Sequence, residues 1–435
     1  MSISDAFRTF IGNIKVDNSD TIGLRYEEIT GALNQEFRST DSKVANRLRI
    51  GSYGRWTAIK GVSDLDMLYI MPAWRWADYE DGGQYALLKK SADAIRARYP
   101  RTPVKVDRLV VQVRYGDFHV EVQPVFEQAD GSFKYPDTYG DGAWKITKPR
   151  DEIAAMAEFE LQKNKNLRRL CRMARAWKNK HGVAMGGLLI DTLSYNFLKQ
   201  MIEYDCKSYL YYDWMSRDFF KYLSEQPKQD YYAALGSGQR VRVKKDFRSK
   251  AKKAYELCLS AIEAEGETYR NERWRRVYGR GFPPRPDSRV AEAVVAMDAY
   301  AAPNTEEFIE DRFPVDVRYD IELDCEVTQR GFRPTFLRSM ISSRMPLLAN
   351  KSLRFFVKSS EVPKPYDLYW KVLNRGKQAV KRKCIRGQIT RDGGYHERKE
   401  SSDFMGDHIV ECYAVKDGVV VATDRTHVPI STTRD

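Results

Sequence analysis

Residues 64–70 read Asp-Leu-Asp-Met-Leu-Tyr-Ile. The segment alternates at its start and is apolar afterwards, which is the pattern of a strand that becomes fully buried. Successive side chains on a strand point to opposite faces, so Asp64 and Asp66 share one side. Two carboxylates held side by side at the head of a buried strand can ligate divalent metal. Thirteen residues before Asp64 stands Gly51-Ser52, a turn that can offer backbone N–H groups and a hydroxyl to a phosphate. A lone Asp-x-Asp is more often a solvated turn, but with this turn upstream and this strand behind it the pattern points to nucleotidyl transfer.

A second segment, Arg108 to Phe126, supplies a third acid. It alternates on both sides of Gly116-Asp117, as a hairpin does. Phe118, Val120 and Val122 take one face; His119, Glu121 and Gln123 take the other. Glu121 therefore lies on the polar face of a strand that can pair beside the Asp64–Asp66 strand, and Pro124 ends regular pairing. Asp64, Asp66 and Glu121 make the carboxylate trio that two Mg2+ or Mn2+ ions require, since these ions take oxygen donors and share them with substrate phosphates. Two such ions clamp the attacking and leaving oxygens of an in-line displacement. His119 reads as a strand-surface residue rather than a catalytic base.

At 435 residues the chain is too long for one core. Residues 5 to 48 read as helical. Strands follow at 65–72, 104–115 and 118–126, with a helix over 84–98. From 151 to 225 the pattern is helical, with a buried helix after Gly186-Gly187, and helices resume over 247–270. Gly, Pro and Arg crowd 279–289, which reads as a linker. Beyond it, 317–327 and 353–357 alternate as strands, Tyr369-Trp370 begins another, and Val410–Val415 and Val419–Ala422 form a hairpin with Asp417-Gly418 at its tip. The expected class is α+β. A nucleotidyltransferase palm with N-terminal helices occupies 1–150, a helical lobe completing the cleft 151–290, and a β-rich module 291–435.

Charge narrows the partners. Lys and Arg outnumber Asp and Glu by 73 to 60, which favours nucleotides or nucleic acid. The excess is concentrated at 240–253, 270–289 and 371–399. Any one run reads equally as a solvated face. No apolar stretch approaches membrane-spanning length, and Met1 to Val16 lacks a signal-peptide pattern. The six cysteines, Cys171, Cys206, Cys258, Cys325, Cys384 and Cys412, form neither a C-x-x-C nor a zinc spacing. A cytoplasmic protein with reduced, mainly buried thiols and no membrane contact is expected.

The Gly-Ser turn, SDLDMLYI and VEVQPVF together resemble the cGAS/DncV-like nucleotidyltransferases (CD-NTases) of the polymerase-β superfamily. The stretches LRRLCRMARAWKNKHGVAMGGLLIDTLSYNFL and YYAALGSGQRVRVKKDF resemble the second lobe of bacterial members. The segment from Asp311 through YWKVLNRG, IRGQI and GDHIVECYAVKDGVVVA resembles the adenylyl/guanylyl-cyclase and SMODS C-terminal sensor domain. The resemblance implies that Gly51 and Ser52 hold the donor triphosphate and that Asp64 and Asp66 ligate both metals. It places the third carboxylate at Glu121, where the family often has Asp. It implies a phosphate contact for Lys178, otherwise an exposed helical lysine, and a place in the nucleotide pocket for Ser237 and Gly238. The activity it implies is synthesis of a cyclic di- or trinucleotide from ATP, GTP or other triphosphates. The setting it implies is antiphage (CBASS-type) signalling. There an RNA or phage component would act at the sensor, and the product would reach a downstream effector. The zinc-ribbon cysteines of the animal enzyme are absent. An RNA-tailing or CCA-adding enzyme, and an inactive nucleic-acid-binding protein, are the competing readings.

Overall fold

The computed structural model describes residues 1–61, 64–116, 118–264, 269–284, 307–329, 333–374, 379, 381–382, 386–403 and 405–431. They fall into two compact units, one of residues 2–177 and 186–283, the other of 178–185 and the C-terminal part from 284 onward. Ser63, Asp117, Cys384 and residues 285–289 of the expected linker lie outside the described residues. So does the expected boundary at 290.

The larger unit begins with α1 (Ile3–Asn13) and α2 (Ser19–Arg38). The Ser2 hydroxyl accepts from the Asp5 amide, which caps the first helix. Helix α2 ends where Ser39 turns left-handed, at φ 53°. The helical reading to 48 therefore overran: 47–49 is a strand, β1 (Arg47–Arg49), hydrogen-bonded to β2 (Asp64–Ile70). Helix α3 (Gly51–Gly54) is a single turn between these strands, and α4 (Gln84–Arg98) follows β2. The strand expected over 104–115 is two, β3 (Val104–Asp107) and β4 (Val110–Arg114), because Arg108 adopts φ 45° and turns the chain. The next strand, β5 (His119–Glu127), pairs antiparallel with β4 and parallel with β2. The sheet runs β1-β2-β5-β4-β3, and β6 (Phe133–Asp137) with β7 (Ala143–Thr147) extends it from the end of β5. This last ribbon was not anticipated.

One face of the sheet carries Leu65, Met67, Tyr69, Val111, Val113, Val120 and Val122. They pack with Ile22, Tyr26, Ile29, Leu33 and Phe37 of α2 and with Leu87, Leu88 and Ile95 of α4. Burying that face fixes the register, since a one-residue slip would turn every side chain of a strand to the wrong side. The carboxylates at 64, 66 and 121 are thereby forced onto the opposite face.

Helices α5 (Pro149–Gln162), α6 (Asn166–His181), α7 (Gly187–Gln200), α8 (Tyr212–Ser224), α9 (Arg248–Glu263) and α10 (Arg270–Tyr278) follow, with a small ribbon of β8 (Tyr231–Ala233) and β9 (Arg240–Arg242) between α8 and α9. Phe7 of α1 meets Trp274 and Phe282 edge-on, with ring centroids 5.1 and 5.2 Å apart. The first helix thus packs with the C-terminal residues of the unit.

Among the described residues the smaller unit holds two sheets. One orders β11 (Thr335–Phe336), β10 (Ile321–Thr328), β13 (Ser352–Ser360) and β16 (Glu397–Ser401). The other orders β12 (Leu347–Leu348), β18 (Val419–Ser431), β17 (Gly406–Lys416), β14 (Asp367–Leu373) and β15 (Arg386–Arg391). Leu323, Cys325, Phe355, Trp370, Val410, Cys412 and Val421 share its core. The Asp417-Gly418 hairpin is present, with both residues at positive φ, 55° and 80°. That conformation is the two-residue turn that suits twisted strands. Its arms run longer than expected.

The class is α+β, as expected. Cys171, Cys258, Cys325 and Cys412 are buried free thiols, and Cys206 is an exposed one. Among the described residues no helix is long and apolar enough to cross a membrane.

Candidate active site

The parallel pairing of β2 and β5 sets Asp64 opposite His119 and Asp66 opposite Glu121. All four side chains project to the face away from the α2–α4 core. Asp64 and Glu121 keep about a fifth and a quarter of their side-chain surface in solvent, so both remain reachable. His119 does not, with its side chain 6% exposed. The sequence reading put it on the surface; the structure buries it between the acids. Its Nε2 stands 3.2 Å from Asp64 Oδ1 and 3.2 Å from Glu121 Oε1. One ligand atom each of Asp64, His119 and Glu121 lies within 4.8 Å of the others.

Asp66 faces the Gly-Ser turn. The Ile50 amide donates to the Asp66 carbonyl at 3.1 Å. Gly51 then adopts φ 63°, and a Cβ there would stand 1.8 Å from Asp66 Oδ2. Position 51 therefore needs glycine for both its conformation and its clearance. The turn is closed by Thr57 and Ala58, whose amides donate to the Ser52 carbonyl at 2.8 and 3.1 Å.

A buried ionic network supports the far side of this turn. Arg55 donates through Nε to Asp191 at 2.9 Å and through a terminal nitrogen to Glu152 at 3.0 Å. Arg175 grips Asp191 with two bonds, 2.6 and 3.0 Å, and Thr57 adds a third partner at 3.1 Å. Full burial alone would raise the Asp191 carboxyl, but Arg175 and Arg55 outweigh it and hold the group down at about 2. Glu152 moves the other way, burial raising it against the pull of Arg55. Arg168 and Arg172 of α6 donate to the carbonyls of Arg55 and Trp56, at 3.1 and 2.8 Å. None of this network was anticipated. Its one signal was an acid inside the apolar run LLIDTLSYNF, since a buried carboxylate requires cationic partners.

The other expected contacts fall elsewhere. Ser237 donates to Glu152 at 3.3 Å and so joins the network behind the turn. Gly238 shapes the 234–239 turn at φ 66°. Lys178 belongs to the smaller unit and is buried rather than exposed, its ammonium 2.6 Å from Asp316 Oδ1. A phosphate at Lys178 would have to displace Asp316. Within the 371–399 basic run, Lys371, Arg386, Arg391, Arg398 and Lys399 all meet carboxylates.

The donors decide whether a divalent cation suits the site. Three carboxylates with solvent access on one face, two of them in adjacent register, are what Mg2+ or Mn2+ takes. The fit is good.

Residues 1–159 match the model of the Second Messenger Oligonucleotide or Dinucleotide Synthetase domain. Residues 303–431 match that of the Adenylyl/Guanylyl and SMODS C-terminal sensor domain. No curated protein matches the chain. Among solved structures, the chain is similar to CdnC of E. coli MS115-1 in a complex with HORMA-deltaN, at 15% identity and TM-score 0.49, over 64% of this chain and 98% of that one. It is similar to the GTP-bound form of Vibrio cholerae DncV at 16% identity and TM-score 0.46, over 55% and 68%. It is also similar to Elizabethkingia meningoseptica CdnE, a cyclic dinucleotide synthase with GTP and Apcpp, at 17% and 0.41, over 59% and 98%.

Proposed function

Because the chain belongs to the CD-NTases and carries a C-terminal sensor domain of the adenylyl/guanylyl-cyclase and SMODS type, we propose that it joins ATP, GTP or other nucleoside triphosphates into a cyclic di- or trinucleotide at the face bearing Asp64, Asp66 and Glu121. The observation that carries the reading is the β2–β5 register, which sets Glu121 beside Asp66, the acid that stands against the Gly51 turn.

Asp64, Asp66 and Glu121 would hold two Mg2+ or Mn2+ ions. When bound, these neutralise the triphosphate and lower the cost of charge developing at the α-phosphorus. The protein's own part is mostly positioning, as in other phosphoryl transfers. Gly51 and Ser52 present backbone N–H and hydroxyl donors to the donor triphosphate. The Arg55–Asp191–Arg175 network holds that turn rigid from behind. Glu121, on the solvent side of its strand, accepts the proton of the attacking ribose hydroxyl. Pyrophosphate leaves, and the linear product rebinds with its ends exchanged and closes, its remaining 5′-triphosphate losing a further pyrophosphate as the free ribose hydroxyl attacks.

This enzyme acts in the cytoplasm in antiphage signalling, the cyclic product reaching a downstream effector and the sensor domain receiving an RNA or a phage component. The sensor description supports that setting. The test is incubation of the purified protein with four labelled triphosphates and Mg2+ or Mn2+, then phosphatase and mass analysis. A resistant cyclic product is expected, and EDTA abolishes it. Products that stay linear, or label found only at the end of an added RNA, overturn the reading in favour of RNA tailing.

A further inference from the structure

We propose that His119 is a direct nitrogen donor to the cation held by Asp64 and Glu121, and that it makes this position prefer Mn2+ to Mg2+. The inference rests on the reading that these carboxylates bind a divalent cation.

The geometry supports a ligand. Two donors each about 2.1 Å from one ion and at right angles stand about 3 Å apart. Both nitrogen–oxygen distances at His119 Nε2, 3.2 Å to Asp64 and 3.2 Å to Glu121, are close to that spacing. Backbone pairing fixes the arrangement, since His119 lies directly across from Asp64 and two residues before Glu121 on one strand. The residue is buried, at 4% exposure, so its ring is held in place by packing. The ring nitrogen thus faces two carboxylate oxygens at once. A cation between them satisfies both acids and the ring nitrogen together.

The chemistry then selects the ion. Carboxylates alone suit Mg2+ and Mn2+ alike. Mg2+ demands oxygen donors in a strict octahedron and sheds water reluctantly. An imidazole in the set therefore weakens the case for Mg2+ and strengthens that for a transition-metal ion.

The full-length protein, stripped with EDTA and free of nucleotide, is titrated with Mn2+ by electron paramagnetic resonance, and bound Mn2+ is examined by spin-echo modulation. The expected signal is nitrogen coupling from one directly bound imidazole, lost in His119→Ala. Mn2+ affinity in that variant falls about tenfold or more, while Mg2+ affinity, read by competition, changes much less. His119→Gln keeps a donor but no ring nitrogen and behaves like His119→Ala. Circular dichroism confirms that both variants fold. Failure of the wild type to bind Mn2+, bound Mn2+ without nitrogen coupling, equal losses for the two ions, or rescue by glutamine each overturns the inference. Nucleotide incorporation by Asp64→Ala/Asp66→Ala separates the two claims. If that double variant still makes product, the functional reading falls; if it does not and no nitrogen coupling is seen, only the role of His119 falls.

Discussion

Position 51 has no room for a side chain. Its left-handed backbone is strained for any residue but glycine, and the space where a Cβ would go holds a carboxylate oxygen of Asp66. Gly51→Ala must displace that acid. A misplacement of about 1 Å near reacting atoms lowers rates by about 100-fold, so nucleotide incorporation should fall at least that far. Thermal melting should report a modest loss, about 1 to 3 kcal/mol for the forced φ. Asp64→Ala/Asp66→Ala is the sharper test. It removes donors worth several kcal/mol of charge stabilisation, so incorporation should drop by about 1,000-fold or more with circular dichroism unchanged. Full activity in that variant would end the assignment.

Elements place these residues through packing rather than propensity. Strands β2 and β5 are registered by their apolar faces, so a deletion in that core loosens the site indirectly. Leu65→Ala should cost about 2 to 5 kcal/mol, measured by urea unfolding. Helices α5, α6 and α7 meet at Asp191 through Arg175, Arg55 and Glu152. Asp191→Ala removes the acid that Arg175 and Arg55 share and leaves Arg55 with Glu152, a loss of about 3 to 5 kcal/mol. The folded carboxyl titrates near 2, below its ordinary value of 3.8. Its stabilisation is thus fully present above about pH 4 and is lost as pH falls through 2. The wild-type stability curve should steepen in that acid window, and Asp191→Asn should flatten it there. A variant with the same acid dependence would show that the network does not carry it.

On the scale of the whole molecule, each of the two units holds a hydrophobic core of its own. A chain built so is not expected to melt in one step. Calorimetry should resolve more than one transition. Trp370→Ala, which empties a fully buried site in the smaller unit, should lower that unit's transition by the equivalent of about 3 to 5 kcal/mol and move the other less. A single transition shifted as a whole would refute this. The stretches 2–150, 151–177 and 186–283 fall within one compact unit, although their patterning differs.

Local pattern was enough for part of this. Alternation placed Asp64, Asp66 and Glu121 on like faces, and Asp417-Gly418 marked its hairpin, because period-two side-chain direction and positive-φ turns are written into a few consecutive residues. Non-local facts were not legible. That β5 lies parallel to β2 in the register Asp66–Glu121, that His119 is enclosed by two acids, that Arg55, Arg175 and Asp191 meet across 136 residues of chain, and that Lys178 is engaged by Asp316 all depend on which surfaces pack together. A sequence fixes which way a side chain points from its own backbone; only the buried face opposite it decides what it will meet.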